Sequence, residues 1–107
     1  MIILFFLKVV EKAISEIEKM FDQASLNIFM NSGYEELYNY HFSLGLKIRN
    51  EILKDDSNLY NIFIKSGITQ KDDMSNWIIK IFYIYIKSKS DLQHNSNDYS
   101  NSKKPWS

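Results

Sequence analysis

The chain has no cysteine, one proline and three glycines. Without thiols there are no disulfides, no thiolate metal ligands and no cysteine nucleophile. So few turn-formers, beside a hydrophobic share of 45% and an aromatic share of 15%, describe a chain built from helices rather than from many short strands. An excess of charge of one sign is lacking too. Thirteen Lys and Arg balance thirteen Asp and Glu, so the electrostatic footprint of a general nucleic-acid or anionic-membrane binder is missing. Long apolar runs are absent. Met1 to Leu7 (MIILFFL) stops at Lys8, far short of the roughly 20 apolar residues of a transmembrane helix, and no small-residue cleavage site follows it. No Gly-rich phosphate loop, nucleophile elbow or dinucleotide fingerprint occurs. With His41 and His94 as the two histidines, a multi-His metal site lacks ligands, so neither metal nor cofactor is expected.

What is present fits one domain, since 107 residues are enough for a single small core. Leu7, Val10, Ile14, Ile17 and Phe21 recur at alternating spacings of three and four, with Lys8, Glu11, Lys12, Glu16, Glu18 and Lys19 on the other face. That pattern predicts an amphipathic helix over residues 1 to 21. The alternative for its start is a leader remnant or surface anchor, which leaves export open where the cytoplasm is otherwise the default. From Asp22 to Ser32 the pattern breaks, as in a connector that still dips into the core. Ser32 and Glu35 then have the spacing of a capping box. A helix starting there runs on Leu37, His41, Leu44, Ile48 and Ile52 to the polar stretch Lys54 to Asn58. It is expected to be the longest element, about five turns. Leu59 to Lys65 reads as a short helix closed by Ser66-Gly67. Asp72 or Asp73 is placed to cap the last helix, whose apolar residues Met74, Trp77, Ile78, Ile79, Ile81, Phe82, Ile84, Tyr85 and Ile86 surround it nearly completely. Such a helix is central or docked on a partner, and its Ile and Tyr content also suits a strand. Residues 90 to 107 are rich in Ser, Asn, Asp and Lys and are expected to form a disordered tail with Trp106 in it. The expected architecture is therefore an all-α bundle of about four helices over residues 1 to 89, followed by that tail.

One polar constellation stands out. His41, Gly45 and Arg49 are spaced by four, which on a helix puts them in one stripe, with the glycine as a notch between two polar side chains. The structural reading pairs Arg49 with Asp72 or Asp73, lets Gly45 admit a close neighbour and makes His41 a satisfied interior imidazole. It is favoured because such pairs commonly fix register. The chemical reading makes His41 an acid or base and Arg49 an anion clamp, oriented by Asp72 or Asp73. The acidic pairs Asp55-Asp56 and Asp72-Asp73 lack the ligand number and spacing of a calcium loop and serve as helix boundaries.

The stretch His41-Phe42-Ser43-Leu44-Gly45-Leu46-Lys47-Ile48-Arg49-Asn50, followed by Asn58, by Asn61-Ile62-Phe63 and by Asp72-Asp73-Met74-Ser75, resembles a family of small bacterial proteins known as a domain of unknown function. The resemblance covers roughly residues 9 to 87. It departs from the family pattern at Ile52-Leu53-Lys54, where an aromatic Leu-Trp is usual, and at Lys71, where Pro is usual. It implies that His41, Arg49, Asn50, Asp72, Asp73 and Ser75 belong to one shared feature and supplies no activity. Two functions of different class follow as expectations. The first is a non-enzymatic interaction module, of binding or inhibitor type, whose partner is another protein or a second copy. The second is a small hydrolytic or phosphoryl-chemistry enzyme using His41 with Arg49.

Overall fold

Helix ends explain most of the architecture. The computed structural model of the chain describes residues 2–101, with side chains from residue 5 to residue 91. Helix α1 spans Ile2–Glu18. Its packed stripe is Ala13 and Ile17, flanked by Val9 and Ile14, while Phe5, Phe6 and Leu7 stay exposed. The chain turns through Lys19 and Met20, and Phe21 folds inward onto Phe29 and Phe82 at ring-centroid distances of 5.3 and 5.7 Å.

The stretch expected as a connector is a helix, α2, spanning Gln23–Met30. Asp22 makes it so. Its carboxylate accepts the Ser25 backbone N–H at 2.7 Å, and its own N–H donates to the Ser25 hydroxyl at 3.1 Å. This reciprocal box satisfies two of the donors that a helix start leaves unpaired. Ser in place of the usual Glu or Gln at the third position hid it from the sequence pattern. The Ser25 N–H, then the Ser25 hydroxyl, hold the Asp22 carboxyl below the ordinary aspartate range. A depressed folded-state value means that this contribution is present above the unfolded carboxylate range and is lost as pH falls through the folded value. The helical signal of α2 is therefore expected to decline on acidification through that window, and Asp22→Asn, which keeps a capping oxygen, to remove that part of the pH dependence. Circular dichroism melts across the acid range check this, and an identical acid profile in the variant contradicts it.

The expected five-turn middle helix is divided. Ser32 does not start it; its hydroxyl bonds back to the Ile28 carbonyl at 3.0 Å, and the start shifts by one residue, with the Gly33 N–H donating to Glu36 Oε1 at 2.6 Å. Tyr34–Tyr40 is a 3₁₀ helix, whose three residues per turn bring Leu37 and Tyr40 together on the core side. A turn at His41 to Ser43 separates it from α3, Leu44–Glu51. The apolar spacing of Leu37, Leu44, Ile48 and Ile52 was a true record of burial, since all four are buried. It did not record the change of helix type.

The Lys54 to Ser57 turn takes Asp56 through a left-handed φ of 67°, and the Ser57 hydroxyl caps α4, Asn58–Lys65, by accepting the Tyr60 N–H at 3.2 Å. The Ser66-Gly67 stop is observed: Gly67 has φ 91°, its N–H donates to the Ile64 carbonyl, and the Ile68 N–H reaches back to the Phe63 carbonyl at 2.9 Å. This is the paired closure that glycine permits past a last turn. An ion pair of Lys71 with Asp55 at 2.8 Å ties the turn before α4 to the start of the last helix.

Helix α5 spans Lys71–Asn101 and is the longest element. Neither Asp caps it; Asp72 and Asp73 lie in its first turn, where they still complement its positive end. It is the spine of the fold, with α3, α2 and the 3₁₀ segment packed on it and α1 packed on α4. Met74, Ile79 and Phe82 are almost completely buried in a core shared with Ile17, Phe29, Ile48 and Leu53. The Tyr83 hydroxyl donates to the Ser32 carbonyl at 2.8 Å, fastening the spine to the end of α2. Among the described residues there is no strand, so the alternative held for this segment is set aside, and the count of about four helices becomes five α-helices and one 3₁₀ helix. The expected tail, residues 90 to 107, falls on the end of α5 and on 102–107, which lie outside the described residues; Trp106 is among the latter.

Candidate functional site

An arginine of α3 is locked onto the first turn of α5. Arg49 Nη1 donates to the Ser75 hydroxyl at 2.9 Å, Nη2 donates to the His41 carbonyl at 3.4 Å, and Nε lies 3.5 Å from Asp72 Oδ1. Ser75 is completely buried yet satisfied on both sides, since its hydroxyl also donates to the Asp72 carbonyl at 3.0 Å. The Arg49 side chain is 13% exposed and the Asp72 side chain 69%. The carboxylate thus stands in water, where ion pairs are weak, and the hydrogen bond to Ser75 is the stronger constraint on the arginine. Gly45 is buried beside it. A Cβ there would lie 3.0 Å from Arg49 Nη1 and 3.6 Å from the Ser75 hydroxyl. The notch that the sequence suggested for a close neighbour is filled by the chain's own guanidinium.

His41 precedes α3 rather than riding on it, so the expected single helical stripe is not what unites these residues. The imidazole is 8% exposed. Its Nδ1 meets Asn76 Oδ1 at 3.0 Å; because a carboxamide oxygen only accepts, Nδ1 carries the proton in this arrangement. The ring stacks nearly parallel on Tyr38 at 5.5 Å and meets Phe42 edge-on at 4.8 Å. His41, Gly45, Arg49, Asp72 and Ser75 are therefore brought together as one knot. Asn50 and Asp73 are not: both are exposed, and neither takes part in a described side-chain hydrogen bond or ion pair. The sequence reading missed Asn76. It follows Ser75 directly, but a histidine–amide pair leaves no periodic signal.

Neither His41 nor Arg49 lines any of the main depressions on the described surface. One, of about 350 Å³, lies beside His41 and is lined by Tyr34, Glu35, Leu37, Tyr38, Asn76, Ile79 and Lys80. Another, of about 320 Å³, lies on the other side of Asn76 and Lys80, against Gly67 to Thr69, Asp73 and Trp77. A small apolar cavity of about 50 Å³ sits between α1, α4 and α5. Among the described residues no three His, Asp or Glu side chains gather as a metal site, and no helix is long and apolar enough to cross a membrane.

The geometry defines a small all-helical domain in which a middle helix is fastened to a central last helix by an arginine–serine–aspartate knot, with an aromatic rim beside it. The chain belongs to the family described as Domain of unknown function (DUF6794), whose model matches residues 8–86. That span contains the whole knot and the aromatic rim, and ends where the buried part of α5 ends at Ile86. No curated protein and no solved structure matches the chain.

Proposed function

We propose that the domain is a protein-binding module that works through the aromatic surface around the His41–Asn76 pair, and not an enzyme. The supporting observation is a concentration of large exposed rings: Phe42 is 74% exposed, Tyr38 66%, Tyr34 52% and Trp77 51%. Rings held out in water by a rigid scaffold contribute large contact area at little entropic cost when a partner covers them, which is why Tyr and Trp dominate binding hot spots. Here the scaffold is rigid for a stated reason. His41 is fixed by Asn76 and in turn stacks on Tyr38 and meets Phe42 edge-on. The catalytic reading has less support, because Arg49 directs its donors to Ser75, the His41 carbonyl and Asp72, leaving no open fork to clamp an anion in a shared cavity.

The test compares the full chain with a Tyr38→Ser/Trp77→Ser variant in pull-downs from extracts of the native cell, with light scattering on a sizing column to detect self-association. Exposed positions such as these cost little stability, so thermal melts of the two proteins should coincide. A specific partner, or a dimer, is expected for the unaltered chain and its loss in the variant, each removed ring costing about 2 kcal/mol of binding or more. A monomer that retains nothing, or an identical captured set from both proteins, overturns the reading.

A further inference from the structure

The imidazole of His41 has one nitrogen committed and one in reserve. Nδ1 gives its proton to Asn76 Oδ1 at 3.0 Å, so in the neutral ring Nε2 is the bare nitrogen, an acceptor with no hydrogen of its own. Among the described residues nothing donates to it. Every buried side-chain nitrogen or oxygen among them has a hydrogen-bond partner and Nε2 has none, which places it in the 8% of the residue that solvent still reaches. So small an opening admits one donor at a time. The two rings flanking the imidazole, Tyr38 stacked at 5.5 Å and Phe42 edge-on at 4.8 Å, are themselves largely exposed, and a group that reaches Nε2 comes in beside them. The surface assigned above to protein binding therefore holds a hydrogen-bond acceptor among its rings.

We infer that His41 Nε2 is the atom through which this surface recognises a partner protein, accepting a hydrogen bond from a neutral N–H or O–H donor flanked by apolar groups, and that protonation of the imidazole ends the recognition. This deepens the protein-binding reading and rests on it. The class of donor follows from the chemistry of the acceptor. A carboxylate or phosphate brings only further lone pairs, and a second cation would stand near Arg49, whose Nη2 is bonded to the carbonyl of this same histidine at 3.4 Å. A hydroxyl, a carboxamide or a backbone N–H meets neither objection. When the ring takes up a proton, Nδ1 keeps its bond to Asn76 and only Nε2 changes, from acceptor to donor. Two donors then face each other at the contact, while the fold keeps its own bond. The charged and titratable neighbours are Tyr38, Glu35 and Lys80 around the depression beside the ring, Asp73 on the other side of Asn76, and Arg49 with Asp72 in the knot. None of them forms a described ion pair or hydrogen bond with the imidazole, so no fixed counter-charge holds the second proton. Asn76 acts as a positioning residue, because its oxygen sets which nitrogen is bare.

The experiment titrates the nitrogen-15-labelled full chain with phenol, which joins a ring to a hydroxyl donor, and with anisole, the same ring with that hydrogen replaced by methyl. Long-range proton–nitrogen NMR spectra report both ring nitrogens, and His41→Gln, which leaves only the His94 signals, assigns them. At about pH 8, where an ordinary imidazole is neutral, the spectra should show a proton on Nδ1 and none on Nε2. Phenol should then move the Nε2 resonance and bind about five- to tenfold more tightly than anisole, as one gained hydrogen bond implies. At about pH 5, where an ordinary imidazole is charged, that preference should vanish while circular dichroism shows the fold intact. Asn76→Ala should bring up the tautomer with its proton on Nε2 and weaken the preference at the higher pH. A proton on Nε2 of the unaltered chain at about pH 8, or a preference for phenol that persists in acid, overturns the inference. Equal binding of phenol and anisole with an unmoved Nε2 does so too, and means that only water occupies the acceptor. Partner capture is a separate readout: if Tyr38→Ser/Trp77→Ser abolishes it while phenol shows no preference, the protein-binding reading stands and the acceptor role alone has failed.

Discussion

Phe29→Ala should unfold the domain, or bring it to the edge of unfolding, at room temperature. Phe29 is completely buried at the meeting point of three separate elements. Its ring centre lies 4.8 Å from Tyr40 of the 3₁₀ helix, 5.3 Å from Phe21 of the turn after α1, and 5.6 and 5.8 Å from Phe82 and Tyr83 of α5. Removing such a ring loses its transfer free energy and leaves a hole that fixed neighbours cannot fill, about 3 to 5 kcal/mol in cores of this kind. Here the lining consists of rigid rings carried by different helices, which puts the expected loss in the upper part of that range. Small domains have a total margin of about 5 to 15 kcal/mol, and for a core this small, near the lower end of that range, most of it goes. Urea unfolding followed by near-ultraviolet circular dichroism measures the effect. Ile28→Ala, at the preceding position on the same helix but 66% exposed, should change the stability by less than ~0.5 kcal/mol and serves as the control. A Phe29→Ala protein as stable as Ile28→Ala would show that α2 is not part of the cooperative core.

That the outcome turns on α2 is instructive, because α2 is the element least visible in the sequence. Composition was enough for the all-helical class, since scarce glycine and proline and the three-four spacing of apolar residues are direct consequences of helical geometry. The Gly67 stop was legible for the same kind of reason: a left-handed position past a helix end strongly prefers glycine. The Arg49–Asp72 meeting was legible as a pairing of opposite charges on elements that had to pack. What the letters did not carry was anything decided by a competition between neighbours. Ser32 has equally good use for its hydroxyl at the end of α2 or at the start of the next helix, and only the folded chain assigns it to the Ile28 carbonyl. The 3₁₀ pitch of Tyr34–Tyr40 follows from the need to bury Leu37 and Tyr40 together before the chain turns at His41, and a stripe spaced by threes and fours fits that pitch as well as the α pitch. The pairing of His41 with Asn76 is separated by 35 positions and involves two residue types that are common on surfaces.

The knot makes a sharper demand on Gly45 than on its charged members. Gly45→Val is expected to cost about 3 to 4 kcal/mol, more than loss of the Arg49–Asp72 ion pair alone, whose acidic partner is largely solvated. A Cβ at this position already lies 3.0 Å from Arg49 Nη1, a contact that requires the guanidinium to give way by a few tenths of an ångström. Two further methyl groups leave it no place beside Ser75. The guanidinium must then leave the knot, which abandons the completely buried Ser75 hydroxyl as its acceptor at about 1.5 to 3 kcal/mol for a hydrogen bond to a charged group. Overpacking adds about 1 to 3 kcal/mol. Gly45→Ala balances differently, because alanine favours a helix by about 1 kcal/mol over glycine and the arginine has only a small shift to make; the net change should lie within about 1 kcal/mol of zero. Urea denaturation of both variants gives the comparison, and the decisive control is Gly45→Val combined with Arg49→Ala. If eviction of the guanidinium is the cause, the double variant is less destabilised than the sum of the two single changes. Simple addition would mean that Gly45 is needed for the approach of α3 to α5 and not for the arginine that now occupies the space between them.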